Sequence, residues 1–210
     1  MGKKLFISIL LLLLCACAQS NNNKECLSNQ YVDILRSGNY YMSYMDSSMA
    51  YDHTPVFIER AQKGILSAVR YEMQGNILSS ISDNETITLI CNGEILMALP
   101  MQEYTDKTGL KSCALDFSDL NFSGVSGEKT IDEVEYYFET FEYHVKDKTA
   151  TITFMYSNDH LQGIVMYESG GLFKDPTISS TYPEDLFVIP QAHANSLDAS
   201  SSAPAQHRPS

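Results

Sequence analysis

The sequence predicts a mainly β protein with minor α: a curved antiparallel sheet or half-open β-barrel with one or two short helices. Three observations point there. Residues 132–169 read as three consecutive strands joined by two tight polar turns. Thirteen Tyr and nine Phe, with no Trp, enrich the chain in residues that suit a half-buried pleated surface. Between residues 56 and 99, short apolar runs are punctuated by Gly-, Asn- and Asp-containing turns, the pattern of a meander.

The chain opens with an export device. Lys3 and Lys4 form a positive n-region, and Leu5 to Leu14 is a ten-residue apolar run, too short to span a bilayer. Leu14, Ala16 and Cys17 stand in the order of a lipoprotein lipobox, so cleavage before Cys17 and acylation of its thiol and new amino group are expected. Each buried acyl methylene contributes ~0.8 kcal/mol, so two or more chains would anchor firmly. Ala16-Cys17-Ala18 also satisfies an A-x-A rule, which would instead release a soluble protein starting at Gln19.

Residues 1–16 are thus the signal peptide and 17–29 the anchor and flexible tether, the polar run AQSNNNKE at 18–25 having too little apolar surface to fold. Residues 30–190 form the β-rich domain. Residues 191–210, rich in Ala, Ser and Pro with no apolar periodicity, read as a disordered tail. Removing residues 1–16 takes Lys3 and Lys4 with it, moving the net charge from −12 to −14. A surface this acidic repels phosphate backbones, which excludes nucleic acid as a partner. Membrane attachment must therefore come from the lipid.

Within the domain, Tyr31, Ile34 and Leu35 fall at helical spacing over 30–36, with Gly38 as the cap. Tyr40 to Met45 alternates as a first strand. Residues 46–53 interrupt it, and Asp46, Asp52 and His53 are read as loop residues without metal-ligand geometry. Val56–Arg60 and Ile65–Met73 pair around Gln62-Lys63-Gly64. Ile77–Ile81 follows, then Thr86–Cys91 and Glu94–Leu99 around Asn92-Gly93, the strongest hairpin signal in the chain. Pro100 ends the pairing.

Residues 101–131 are irregular, and Leu115, Phe117, Leu120 and Phe122 fit a strand edge or a helical lid equally. In 134–145 the apolar face switches between Phe138 and Phe141, which implies a bulge or a strand wrapping a curved sheet. Ala150, Ile152, Phe154 and Tyr156 face inward on the next strand. Leu161–Tyr167 carries Gly163 in its middle, a sign of a bend or a close approach. Residues 172–185 read as a loop, and Leu186–Ile189 as a last short strand.

Little here suggests chemistry. No His stands in an HExxH or Cys/His spacing, and no nucleophile elbow, phosphate loop or dinucleotide fingerprint occurs. Neither an enzyme nor a cofactor is expected. Glu135, Glu139 and Glu142 are read as a solvated, edge-protecting face. Cys26, Cys91 and Cys113 follow Cys17. Either Cys91 pairs with Cys113, closing a loop of about 20 residues worth roughly 3 kcal/mol, or Cys91 is a buried free thiol.

The pieces Ser37–Met42, Ile90–Leu99, Val134–Tyr167 and Pro183–Pro190, behind a lipobox, resemble small LolA/LppX-like lipoproteins over roughly residues 30–190. The resemblance rests on the order and texture of the elements. It implies an incomplete β-barrel around a hydrophobic concavity, plugged by helices, that receives lipid or lipoprotein acyl chains. This chain departs from that pattern in having few recognisable plug helices.

The expected function is a lipid-anchored module outside the cytoplasmic membrane that binds an apolar ligand or acyl chain. Its candidate lining is Tyr40, Met42, Ile87, Leu89, Phe138, Ile152, Phe154 and Val165. The alternative is a surface lipoprotein without a cavity, which would hold a protein partner through its acidic face or the 101–131 segment.

Overall fold

The computed structural model describes residues 26–47, 54–108, 115–145, 148–166 and 172–191. The signal peptide, Cys17, the polar run 18–25, Asp52, His53, Cys113 and all but the first residue of the tail lie outside these. In chain order the elements are α1 (Asn29–Arg36), β1 (Asn39–Asp46), β2 (Val56–Lys63), β3 (Leu66–Met73), β4 (Asn76–Ser82), β5 (Thr86–Cys91) and β6 (Glu94–Pro100). Then come α2 (Met101–Thr108), β7 (Asn121–Ile131), β8 (Val134–Val145), β9 (Lys148–Ser157), β10 (His160–Met166) and β11 (Leu172–Ser179), with a 3-10 turn at Glu184–Phe187.

All eleven strands join one curved antiparallel sheet that does not close, as the composition and turn spacing predict. Its order is β6-β5-β4-β3-β2-β1-β11-β10-β9-β8-β7. Two meanders run outward from the central β1–β11 pair, so β6 and β7 are the free edges. Local chemistry sets the hairpins. Gln74-Gly75, Asn92-Gly93, Asp132-Glu133 and Asn158-Asp159 all have positive φ at both positions, the geometry that matches the twist of the flanking strands.

One face of the sheet, here the inner face, carries α1, which packs on β1 and β11. Val32 and Leu35 of α1 are buried there with Tyr40, Met42, Tyr44, Phe141, Tyr143, Ile152, Phe154, Ile164 and Phe173. The segment 115–120 crosses the same face and adds Phe117 and Leu120 to the core. Three contacts hold it. The Tyr40 hydroxyl donates to the Leu115 carbonyl at 2.7 Å, Arg36 Nε donates to the Leu120 carbonyl at 2.6 Å, and His144 Nδ1 meets Asp119 Oδ2 at 2.5 Å. On the outer face Leu186 of the 3-10 turn packs on Ala61, Ala68, Ile81 and Ile90. Arg70 clamps that turn, donating to Glu59 at 2.6 Å and to Asp185 at 2.7 Å.

Several expectations need correction. Residues 172–179 are not a loop but β11, a central strand paired with both β1 and β10. Asp175-Pro176 disguises it. Asp175 has φ 51°, and the register with β1 shifts beside it; an irregularity of this kind is where a sheet tolerates a proline. Leu186–Ile189 forms no strand: the 3-10 turn ends at Phe187, and Val188 and Ile189 are exposed. Residues 101–131 are more regular than expected, with α2 at their start and edge strand β7 at their end; Leu115, Phe117 and Leu120 cover the core, and Phe122 lies on β7.

The apolar face of 134–145 does switch between Phe138 and Phe141, but no bulge in the pairing with β9 produces it. β8 pairs with β9 from Tyr137 to Val145 with no register shift, so Glu139, Phe141 and Tyr143 all point inward and Phe138 points outward. The bulge lies on β7, between Phe122 and Val125. A second bulge does fall beside Gly163, whose register with β9 shifts. A Cβ there would meet Leu172 Cδ1 at 2.6 Å and the Phe173 carbonyl at 3.3 Å. Gly163 thus serves both the bend and the close approach.

Acid should loosen three of the ties described. The Thr86 and Glu85 backbone N–H groups hold the Asp83 carboxyl below its usual value, and the Arg70 guanidinium does the same for Asp185. For Asp119, burial pulls upward, but the hydrogen bonds from His144 win and the value falls. Carboxyls depressed on folding stabilise above their unfolded value of about 3.9, and that contribution is lost as pH falls through the folded value. The thermal midpoint should therefore be flat from about pH 7 to 5 and drop below about pH 4, which a pH series followed by circular dichroism checks.

Candidate functional site

Residues opposite one another in an antiparallel pair share a face, so the inner face can be followed strand by strand to the β6 edge. Val69 and Tyr71 of β3 pack against the helix-side core. Tyr71 pairs with Leu78 and Leu78 with Cys91; Val69 pairs with Ser80, Ser80 with Leu89, and Leu89 with Met97. Ser67 pairs with Ser82, Ser82 with Ile87, and Ile87 with Leu99. The inner face of β3–β6 is therefore mainly apolar, with Asn76 and Glu94 at its margins and a serine line in which Ser67 and Ser82 share a hydrogen bond at 2.6 Å.

Cover thins along this face. Under α1 and the segment 115–120 the side chains are sealed. Tyr71, Leu78, Leu89, Cys91 and Leu99 are half-buried, and Met97 is 47% exposed. The result is an apolar shelf, open on one side and backed by the packed core on the other. The shelf is built by tight turns. Asn92-Gly93 sets the β5–β6 register, and the Asp83 carboxylate accepts from the Glu85 and Thr86 N–H groups, both at 2.7 Å, to turn β4 into β5. Two clefts lie near it, the first at one of its ends. One of ≈ 410 Å³ is lined by Asn84, Glu85, Pro100, Met101, Gln102 and Thr105, where α2 leaves β6. The other, ≈ 340 Å³, mixes the outer-face Met45, Phe57 and Glu72 with the inner-face Val56 and Met73 and so is not part of the shelf.

The structure does not bring the eight expected lining residues together. Tyr40, Met42, Ile152 and Phe154 lie in the filled core, each fully buried. Ile87 and Leu89 are on the shelf, Ile87 beneath it and Leu89 at its surface. Phe138 and Val165 sit on the outer face, since their partners are Met155 and Thr153, out of step with Phe154. Phe138 falls outside because β8 has no bulge that would bring it into step with Phe141. Tyr71, Leu78, Met97 and Leu99 were missed as lining, although alternation on β3–β6 marks them. Cys91 is on the shelf; its expected partner Cys113 lies outside the described residues.

Sequence reasoning also missed the most buried carboxylate among the described residues. Glu139, expected in a solvated row, is 1% exposed. Its two carboxylate oxygens accept the backbone N–H of Leu27 at 3.0 Å and of Ser28 at 2.8 Å. Ser28 Oγ is 2.7 Å from the Tyr156 hydroxyl. Burial pushes the Tyr156 hydroxyl well above its ordinary value, and burial followed by the Glu139 charge raises the Cys26 thiol. This cluster satisfies the orphan N–H groups before α1 and fixes where the chain enters the fold. Leu27 and Ser28, expected in the flexible tether, are part of the packed structure. Every partner in the cluster belongs to the chain itself, so it is a structural clasp.

Among the described residues no group of three or more His, Cys, Asp or Glu could hold a metal ion. No described helix is long and apolar enough to cross a membrane. No protein-family model matches this chain, and no curated protein matches it.

Proposed function

We propose that this protein is a lipid-anchored, extracytoplasmic binding module without enzymatic activity, and that its apolar ligand or acyl chain lies on the shelf formed by Tyr71, Leu78, Leu89, Met97 and Leu99. One observation carries the reading. The inner face carries a run of apolar side chains from the packed core to β6, but α1 and residues 115–120 cover only part of it, leaving half-buried side chains towards β6. A concave or backed apolar surface with a few polar groups is what such ligands need. The lipobox supplies the anchor, and the open sheet is the architecture implied by the resemblance to LolA/LppX-like lipoproteins.

The test has two arms. Cells fed an alkyne fatty acid should label the wild-type protein and not Cys17→Ala. Non-covalent lipid extracted from the purified protein should be detected by mass spectrometry for wild type. It should fall at least about tenfold for Leu89→Glu, since a buried carboxylate on the shelf opposes apolar contact. Equal lipid in both proteins, with unchanged thermal midpoints, would remove the shelf from the reading.

A second reading, a surface lipoprotein that binds a protein partner, is favoured by β6. This edge strand exposes Ile95, Leu96 and Met97, with Leu96 65% exposed, and an unprotected edge can accept an added strand. Crosslinking in cells from a photoreactive residue at position 96 would capture such a partner.

A further inference from the structure

We infer that the shelf selects amphiphiles whose head is uncharged or cationic and rejects those with an anionic head; this rests on the proposed apolar-ligand site. The argument is electrostatic. An amphiphile lying along β3–β6 must leave its head at one end of the shelf or at its β6 rim. Those places carry carboxylates: Asp83 and Glu85 in the β4–β5 turn, and Glu94 on the inner side of β6. Glu85 lines the larger cleft directly, alongside the neutral amides of Asn84 and Gln102.

Of three described cations near the shelf, two are held in ion pairs and the third donates to a hydroxyl. Lys107 is 2.6 Å from Glu103, one turn away on α2. Arg70 is on the outer face, held by Glu59 and Asp185. Arg60 is on the inner face opposite Val69, and its Nε donates to the Tyr44 hydroxyl at 2.9 Å, on the core side of the shelf. Exposed carboxylates act on a head that lies within about one Debye length of them, ~8 Å at physiological salt. Like charge then works against a carboxylate or phosphate head, and neutral amide and hydroxyl groups offer hydrogen bonds to an alcohol or ester.

The probes are three amphiphiles with the same sixteen-carbon, diazirine-bearing chain and different heads: an alcohol, a carboxylate and a trimethylammonium. The mature, lipid-anchored protein in nanodiscs of zwitterionic lipid is photolysed with each, and adducts are mapped by peptide mass spectrometry. The alcohol and the ammonium should label β3–β6 at least about tenfold more than the carboxylate, the factor given by ~1.4 kcal/mol of repulsion. The difference should shrink at high salt. It should also shrink in the double variant Glu85→Gln/Glu94→Gln, whose exposed sites leave the core untouched. Carboxylate labelling of β3–β6 that equals or exceeds that of the alcohol would overturn the head selectivity alone. Loss of that labelling in Arg60→Gln would identify Arg60 as the anion's partner. Labelling of β3–β6 by none of the three would overturn the shelf itself, and the selectivity with it.

Discussion

Replacing Phe154 by alanine is expected to destabilise the protein by about 3–5 kcal/mol, the usual range for a fully buried phenylalanine. Phe154 is fully buried on β9 and joins two parts of the core. Its ring stacks on Tyr31 of α1 at 6.2 Å between centroids, and meets Phe141 of β8 edge-on at 5.6 Å. Truncation would open a void between helix and sheet and take away both ring contacts. Typical domains are stable by only about 5–15 kcal/mol, so this single change should remove a large share. Urea titrations of wild type and Phe154→Ala would show a lower midpoint at similar slope. Phe154→Leu, which keeps most of the volume, should lose less. A loss below about 1 kcal/mol would mean that α1 is not seated on β9 as described.

Glu139→Leu should have the next largest effect, roughly 2–4 kcal/mol, because it leaves two buried N–H groups, those of Leu27 and Ser28, with no acceptor. Glu139→Gln keeps a carbonyl oxygen for one of them but turns an amide NH₂ towards the other, so an intermediate loss is expected. The loss should also be local. Limited proteolysis should cut near residues 26–30 in Glu139→Leu while β8 and β9 stay protected. A uniform loss of protection would instead place Glu139 among general core contacts. Tyr156→Phe, which removes only the bond to Ser28, should fall at about 1 kcal/mol.

Why Glu139 was illegible in the sequence is instructive. Alternation in 134–145 gives two apolar triplets on opposite faces, Val134-Tyr136-Phe138 and Phe141-Tyr143-Val145. A reader who assumes that buried means apolar must insert a bulge between them. The strand has none. It buries a carboxylate in step with Phe141, because the chain arriving at α1 presents two N–H groups that no apolar residue could satisfy. That need arises from residues more than a hundred positions away. No local pattern carries it.

The hairpins of β2–β6 were readable because their turns are encoded within two or three residues, Asn92-Gly93 above all. β11 was hidden by Asp175-Pro176, which breaks local propensity yet is tolerated where the pairing is irregular. β7 was hidden because an edge strand needs no apolar face: Gly124, Gly127, Glu128 and Lys129 suit a rim that meets water. Curvature was inferred correctly, with Gly163 as a sound sign; the switch in β8 is real but needs no bulge, because Glu139 fills the inward position between the two triplets. The shelf itself was half legible. Ile87 and Leu89 lie on it, but only the register linking β3 to β6 shows that Tyr71, Leu78, Leu99 and Met97 share their face.

The shelf is most directly tested by paramagnetic broadening of amide resonances on adding a sixteen-carbon alcohol with a nitroxide at mid-chain. Broadening should centre on Tyr71, Leu78, Leu89 and Leu99, fade towards Met42 and Ile152, and vanish on adding the unlabelled alcohol. Broadening centred on the outer-face residues Phe57 and Ile77, or none that the unlabelled alcohol displaces, would contradict the assignment of this face as the binding site.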